Sequence, residues 1–191
     1  MVNIVVIYHS GYGHTKNQAE AVLSGVLAIA GINGKLIAIS AEGEITESDW
    51  QLLDEADAII FGSPTYMGMV SWQFKKFADQ SSKRWVNQIW KNKIAAGFTN
   101  SASMNGDKHS TLHYLITLAM QHSMLWVGTG MMPSNTKAAQ RNDINYLAGF
   151  AGLLAQSPAD ASAEEAPPSG DIETAKLFGQ RVAETTKLWK K

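Results

Sequence analysis

An α/β fold built on a single doubly wound parallel sheet of five strands is predicted by three features of the 191-residue sequence. Short apolar runs alternate five times with segments of helical period. The runs are mostly apolar throughout, as strands buried on both faces are, and lack a regular polar alternation. Three of them end in loops crowded with Gly, hydroxyl and amide residues, at the carboxyl ends where such sheets bind ligands.

The elements follow in order. Residues 2–8 (VNIVVIY) form a β-branched run ending in a Gly-rich turn, hence a buried first strand. From Thr15 the period changes: Ala19, Val22, Leu23, Val26, Leu27 and Ala30 share one helix face, which Gly31 ends. Residues 35–39 read as a short second strand, and residues 48–55 as a brief helix capped by Ser48. Residues 58–61 (AIIF) give a third strand, broken by Gly62-Ser63-Pro64, and residues 70–82 an amphipathic helix. Residues 94–99 give a fourth strand; Leu112, Leu115, Ile116, Ala119 and Met120 mark the next helix face, and residues 124–127 the fifth strand. Ile172, Ala175, Phe178 and Val182 open a C-terminal helix ending in a basic tail, residues 187–191, where cations suit the helix dipole. The stretch of about 129–170 holds Pro133, Pro158, Pro167 and Pro168 and turns Ala/Ser/Pro/Glu-rich from Ala155. It reads as a long irregular connection over the surface, so that residues 1–191 form one domain.

Composition narrows the function. A 20.8 kDa chain should fold to a surface of roughly 9,000 Å² and bury about 70% of what the unfolded chain exposes. With 45% apolar and only 17% charged residues, disorder along the whole chain is excluded. The net charge of −1 provides no chain-wide field for nucleic acid, so no nucleic-acid partner is expected. The absence of Cys removes disulfides, thiolate metal sites and cysteine nucleophiles. No apolar run reaches the 18 residues or so of a membrane span, and the first run is too short for a signal peptide. The expectation is a cytoplasmic protein with no integral membrane segment.

The chemistry should sit in the three loops. The first, Ser10-Gly11-Tyr12-Gly13-His14-Thr15, opens onto a helix. Its glycines let N–H groups turn inward, Ser10 and Thr15 add hydroxyls, and the helix N-terminus adds partial positive charge, which suits a monophosphate. An ordinary strand–helix turn explains the same residues without a ligand. The loop matches neither the P-loop nor the dinucleotide fingerprint. The second loop is Ser63-Pro64-Thr65-Tyr66-Met67-Gly68, and the third Thr99-Asn100-Ser101-Ala102-Ser103-Met104-Asn105-Gly106. No metal is expected, because His9 and His14 lack further convergent ligands and no HExxH occurs. No G-x-S-x-G occurs either, which leaves a Ser-His-Asp triad unsupported.

The first loop resembles the phosphate loop of the flavodoxin-like superfamily. More narrowly, Gly62-Ser-Pro-Thr-Tyr-Met-Gly68, Phe77-Ala-Asp-Gln80 leading to Trp85, and Leu118-Ala119 leading to His122 resemble the WrbA-type FMN-dependent NAD(P)H:quinone oxidoreductases. The resemblance covers about residues 1–133 and, more weakly, 168–184. It implies strand order 2-1-3-4-5 and noncovalent FMN, with Ser10, Gly11, Tyr12, Gly13, His14 and Thr15 on the phosphate. Pro64, Thr65, Tyr66 and Met67 would lie along the flavin ring; Thr99, Asn100, Ser101, Ala102, Ser103 and Met104 would line its other side and the ribityl chain. By the same resemblance His122 stands near the flavin, Tyr12 faces the nicotinamide, and Trp85 closes the substrate pocket across a subunit contact. Other readings of these residues are a core histidine at 122, a surface anchor at Trp85, and exposed turn residues at Tyr66 and Met67.

The implied activity is hydride transfer from NAD(P)H to a quinone-like acceptor in ping-pong order, with no catalytic side chain and a homo-oligomer (dimer or tetramer) as the assembly. The alternatives are a one-electron flavodoxin-type carrier, for which −1 is weakly acidic, and a noncatalytic flavin-binding protein. Three departures from the family accompany the resemblance. The third loop carries a single Gly at its end, residues 40–57 are short, and residues 136–167 differ.

Overall fold

The computed structural model describes residues 1–190; Lys191, the end of the basic tail, lies outside them. The first strand, β1 (Val2–Tyr8), sends Val5 and Ile7 into one core and Ile4, Val6 and Tyr8 into the other. Both faces of the sheet are therefore covered, and the run is apolar throughout except for Asn3. Helix α1 (His14–Leu27) follows, then β2 (Ile32–Ala38), α2 (Glu47–Glu55), β3 (Ala58–Tyr66), the short β4 (Met69–Val70), α3 (Trp72–Gln80) and α4 (Ser82–Val86). The chain continues through β5 (Ile94–Ser101), α5 (Lys108–Gln121), β6 (Leu125–Trp126), β7 (Leu153–Gln156) and α6 (Ser169–Trp189).

The sheet runs β2-β1-β3-β5-β6, all parallel, with β4 folded back antiparallel on β3. This is the expected order, the expected fourth strand being β5. On one face α1 and α6 pack together so closely that a Cβ on Gly25 would lie 1.9 Å from the Lys176 carbonyl oxygen. On the other face Trp50 stacks on Phe77 and Trp90, while Phe61 from the sheet meets Phe74 edge-on and Trp90 at a tilt. The folded surface is 8990 Å², as the size scaling requires.

Several boundaries differ from expectation. β2 begins at Ile32 rather than 35, because an edge strand tolerates Asn33 and Gly34 while pairing with Asn3 and Ile4. The second helix is capped by Thr46, not Ser48: Thr46 and Asp49 form a reciprocal capping box. The helix expected over 70–82 starts at Trp72 under a Ser71 cap and stops at Gln80, where α4 takes over.

β3 does not break at Gly62-Ser63-Pro64 but runs on to Tyr66, with Ser63 and Pro64 paired to Thr99 and Asn100. The largest correction concerns the fifth strand and the connection at 129–170. β6 pairs only with Ile94 and Ala95, and the chain then leaves the sheet. It returns inside the supposed connection as β7, parallel to Phe98–Ser101. The fifth strand position is thus filled by two pieces, with residues 127–152 inserted between them.

Candidate functional site

At the carboxyl end of the sheet lies a cavity of about 550 Å³, within the usual range for small-molecule sites. The three loops expected from the sequence meet there. Ser10, Tyr12, His14 and Thr15 line it from the first loop, Pro64, Thr65 and Tyr66 from the second, and Asn100, Ser101 and Ala102 from the third. The fourth wall, Ser157, Pro158, Ala159, Ala161, Ser162 and Ala163, is absent from the sequence reading. Its one signal was the Ser-Pro pair after β7, which repeats the Ser63-Pro64 pair in β3.

Local chemistry explains each wall. Gly13 caps α1 from the left-handed region (φ 89°), and no side chain caps the helix. A Cβ on Gly13 would also lie 2.7 Å from the Cβ of Ala163. Ser10 Oγ accepts from Gly13 N (3.1 Å), which closes the turn. His14 and Thr15, the first two helical residues, both face the cavity, so the uncapped N-terminus of α1 opens into it. The second and third loops are joined by hydroxyls: Thr65 Oγ1 lies 2.8 Å from both Thr99 Oγ1 and Thr111 Oγ1, all buried. Ser157 Oγ donates to Asn100 Oδ1 (3.0 Å), fixing the start of the fourth wall.

The fourth wall is strapped to α1. His14 Nε2 donates to the Ala161 carbonyl (3.0 Å), and Asn17 Nδ2 donates to the carbonyls of Ala163 and Ala166. The imidazole of His14 is therefore committed to this strap rather than aimed at a phosphate. Tyr66 packs edge-on to Tyr12, ring centroids 6.1 Å apart, and burial pushes its phenol pKa up.

The lining has no Lys, Arg, Asp or Glu side chain. An anion here would be held by the α1 N-terminus, backbone N–H groups and the Ser10 and Thr15 hydroxyls. Beyond Tyr66 a second cavity of about 870 Å³ opens, with Met67, Met69, Val70, Trp72 and Tyr114 giving it apolar surface and Lys75, Lys76, Asp79 and Gln80 forming a polar side. Met67 and Gly68 both have positive φ (48° and 80°), as a tight two-residue hairpin between β3 and β4 demands, and Met67 is fully exposed.

Not every expected residue reaches the first cavity. Met67 lines the second instead, Thr99 is buried behind Thr65, and Ser103 and Met104 lie outside the lining. His122 is not at the site. It sits at the C-terminal end of α5, whose N-terminal end is the one near the cavity, and it is buried against Trp90 with ring centroids 4.4 Å apart. Its Nε2 lies 2.8 Å from Ser81 Oγ, whose proton goes to the Ala78 carbonyl, so Nε2 is the donor and Nδ1 is left buried without a partner. That environment holds the ring neutral, its pKa lowered by burial to about 4. Trp85, on α4, is 44% exposed and lines neither cavity.

Fold and cavity together define a flavodoxin-like α/β protein with a cavity at the end of its first strand, into which the uncapped N-terminus of α1 opens. A family model described as NADPH-dependent FMN reductase matches residues 40–138. Flavodoxin FldP of Pseudomonas aeruginosa is 52% identical over 183 residues, covering 96% of each chain. An NAD(P)H dehydrogenase (quinone) of Geotalea daltonii is 28% identical over 200 residues, covering 95% of each. Among solved structures, a flavodoxin, WrbA-like protein from Agrobacterium tumefaciens superposes with a TM-score of 0.80 at 48% identity, covering 98% of this chain and 99% of that one. The chain belongs to the NADPH-dependent FMN reductase family, as a WrbA-type flavodoxin-like protein. The cofactor this membership brings is noncovalent FMN. The cavity fits it: an uncapped helix N-terminus and hydroxyls for the phosphate, and walls without Lys, Arg, Asp or Glu for the ring.

Proposed function

We propose that this flavin-dependent oxidoreductase takes hydride from NAD(P)H and passes it to a quinone-like acceptor in ping-pong order. The observation that carries this reading is the wall shared through Tyr66. The FMN cavity and the apolar groove meet there, and the third loop has no aromatic residue to cover the ring from its own side. When bound, FMN supplies the hydride-accepting and hydride-donating chemistry.

The chain's residues bind and orient. The N-terminus of α1, Ser10 and Thr15 take the phosphate, while the Thr99–Thr65–Thr111 hydroxyl chain ties the ends of β3 and β5 flanking the ring to α5. Tyr12 and Tyr66 stand at the mouth for the nicotinamide, and Met67, Met69 and Trp72 offer apolar surface to a quinone. No side-chain acid or base is required, and no Lys, Arg, Asp or Glu lines the cavity. The exposed Trp85 is assigned to a contact between copies in a dimer or tetramer, closing the acceptor side. No helix among the described residues is long and apolar enough to cross a membrane.

A second reading, a one-electron carrier, is favoured by the name flavodoxin on the 52% identical relative. Steady-state kinetics separate the two. FMN-loaded protein with NADH or NADPH and a water-soluble benzoquinone should turn over with parallel double-reciprocal lines. Turnover no faster than free FMN would favour the carrier.

A further inference from the structure

The third loop turns sharply after β5, yet it holds no glycine between Thr99 and Asn105. The first residue of α5 accounts for its shape. Lys108 is only 1% exposed, and its Nζ donates to the carbonyls of Ser103 (2.6 Å), Met104 (2.9 Å) and Asn105 (3.3 Å). An ammonium has three N–H donors and no acceptor, so three carbonyls satisfy it completely. Two neighbouring bonds complete the turn: Ser101 Oγ donates to the Ser103 carbonyl (3.2 Å) and Gln156 Nε2 to that of Ala102 (2.7 Å). Ser101 and Ala102 line the cavity directly. The loop closes at Gly106 (φ 54°), where a Cβ would meet Ser101 Oγ at 2.2 Å, and ahead of that glycine it is folded around a buried cation.

We infer that Lys108 is a positioning residue: its ammonium gathers the carbonyls of residues 103–105 and so holds the cavity-lining residues Ser101 and Ala102 in the shape that receives the flavin. This rests on the reading of the cavity as the FMN site. The hold depends on the proton, since a neutral amine offers two donors for three carbonyls. Burial brings the Lys108 pKa down to about 8, opposed by Asp171 at the start of α6 and assisted by Arg141 in the 127–152 insertion. Asp107 and His109 flank it in sequence.

The test uses the full chain, titrated with FMN from pH 7 to about 9.5. Wild-type affinity should fall as the pH rises through about 8. Lys108→Met should bind FMN about tenfold or more weakly at pH 7, the scale of one charged hydrogen bond, with a level pH profile. Amide exchange of residues 102–106 in the FMN-free chain should be faster in the variant than in the wild type. A level wild-type profile overturns the proposal and needs no variant; an unchanged Kd in Lys108→Met overturns it while leaving FMN binding intact. A wild-type chain that binds no FMN at all overturns the reading of the cavity and Lys108's role with it.

Discussion

The imidazole Nε2 of His14, the first residue of α1, donates to the carbonyl oxygen of Ala161 across 3.0 Å. This bond and those of Asn17 tie a segment nearly 150 positions later onto the helix whose N-terminus opens into the cavity. The segment that follows β7 thereby becomes a wall of the cavity.

Removing that tie should loosen the site without unfolding the protein. Asn17→Ala should weaken FMN binding by about 1–2 kcal/mol, roughly tenfold, chiefly through faster release. Fluorescence titration and stopped-flow dissociation read both quantities. An unchanged off-rate would mean the 157–166 segment does not cover the cofactor.

Thr15, 2% exposed and facing the cavity, should contribute its hydroxyl to the phosphate. Thr15→Ala is expected to lower FMN affinity by about 1–3 kcal/mol, while Thr15→Ser keeps most of it. Equal affinities for all three proteins would remove Thr15 from the cradle.

His122 makes a prediction about stability, not binding. Its pKa falls from 6.5 in the unfolded chain to about 4 in the fold, so between those values the unfolded state binds more protons. The stability from its neutral burial is complete above pH 6.5 and is lost as the pH falls toward 4, by about 3 kcal/mol. Urea midpoints measured across this window should fall more steeply in the wild type than in His122→Gln, which keeps an N–H donor but does not titrate. Parallel pH profiles would place His122 in solvent contact.

Arg141 and Asp171 pair bidentately at 2.6 and 2.7 Å, and Asp171, buried, also accepts from Gln156 N (2.9 Å). Arg141→Met strands that carboxylate and should cost about 3 kcal/mol in urea unfolding. Lys16→Ala, which breaks the exposed Lys16–Glu20 pair, should cost under about 0.5 kcal/mol. Similar costs for both would show that the Arg141 pair is solvated.

The strand ends and their loops were legible in the sequence because their chemistry is local. Ser10, Gly13 and Thr15 announce a helix start open to an anion, and Thr65 and Asn100 follow apolar runs that can only be buried strands. β7 was not legible: Leu153–Gln156 is four residues in an Ala/Gly-rich setting, and only its pairing with Phe98–Ser101 makes it a strand. The fourth wall is Ala- and Ser-rich and gains meaning from bonds to His14 and Asn17. Lys108 looks in sequence like any solvated lysine at a helix start, and its burial depends on how the third loop folds over it. His122 was misplaced because a motif gives order along the chain, whereas α5 carries the residue to the far end of the sheet.

The central claim is tested most directly by one spectrum. The protein is mixed with FMN, desalted, and treated with NADPH or NADH without oxygen, then with a benzoquinone. Visible flavin absorption should survive desalting, bleach with one of the nicotinamides and return with the quinone. Retained absorption that neither nicotinamide bleaches would contradict the reductase and favour the carrier, and no retained flavin would contradict the cradle itself.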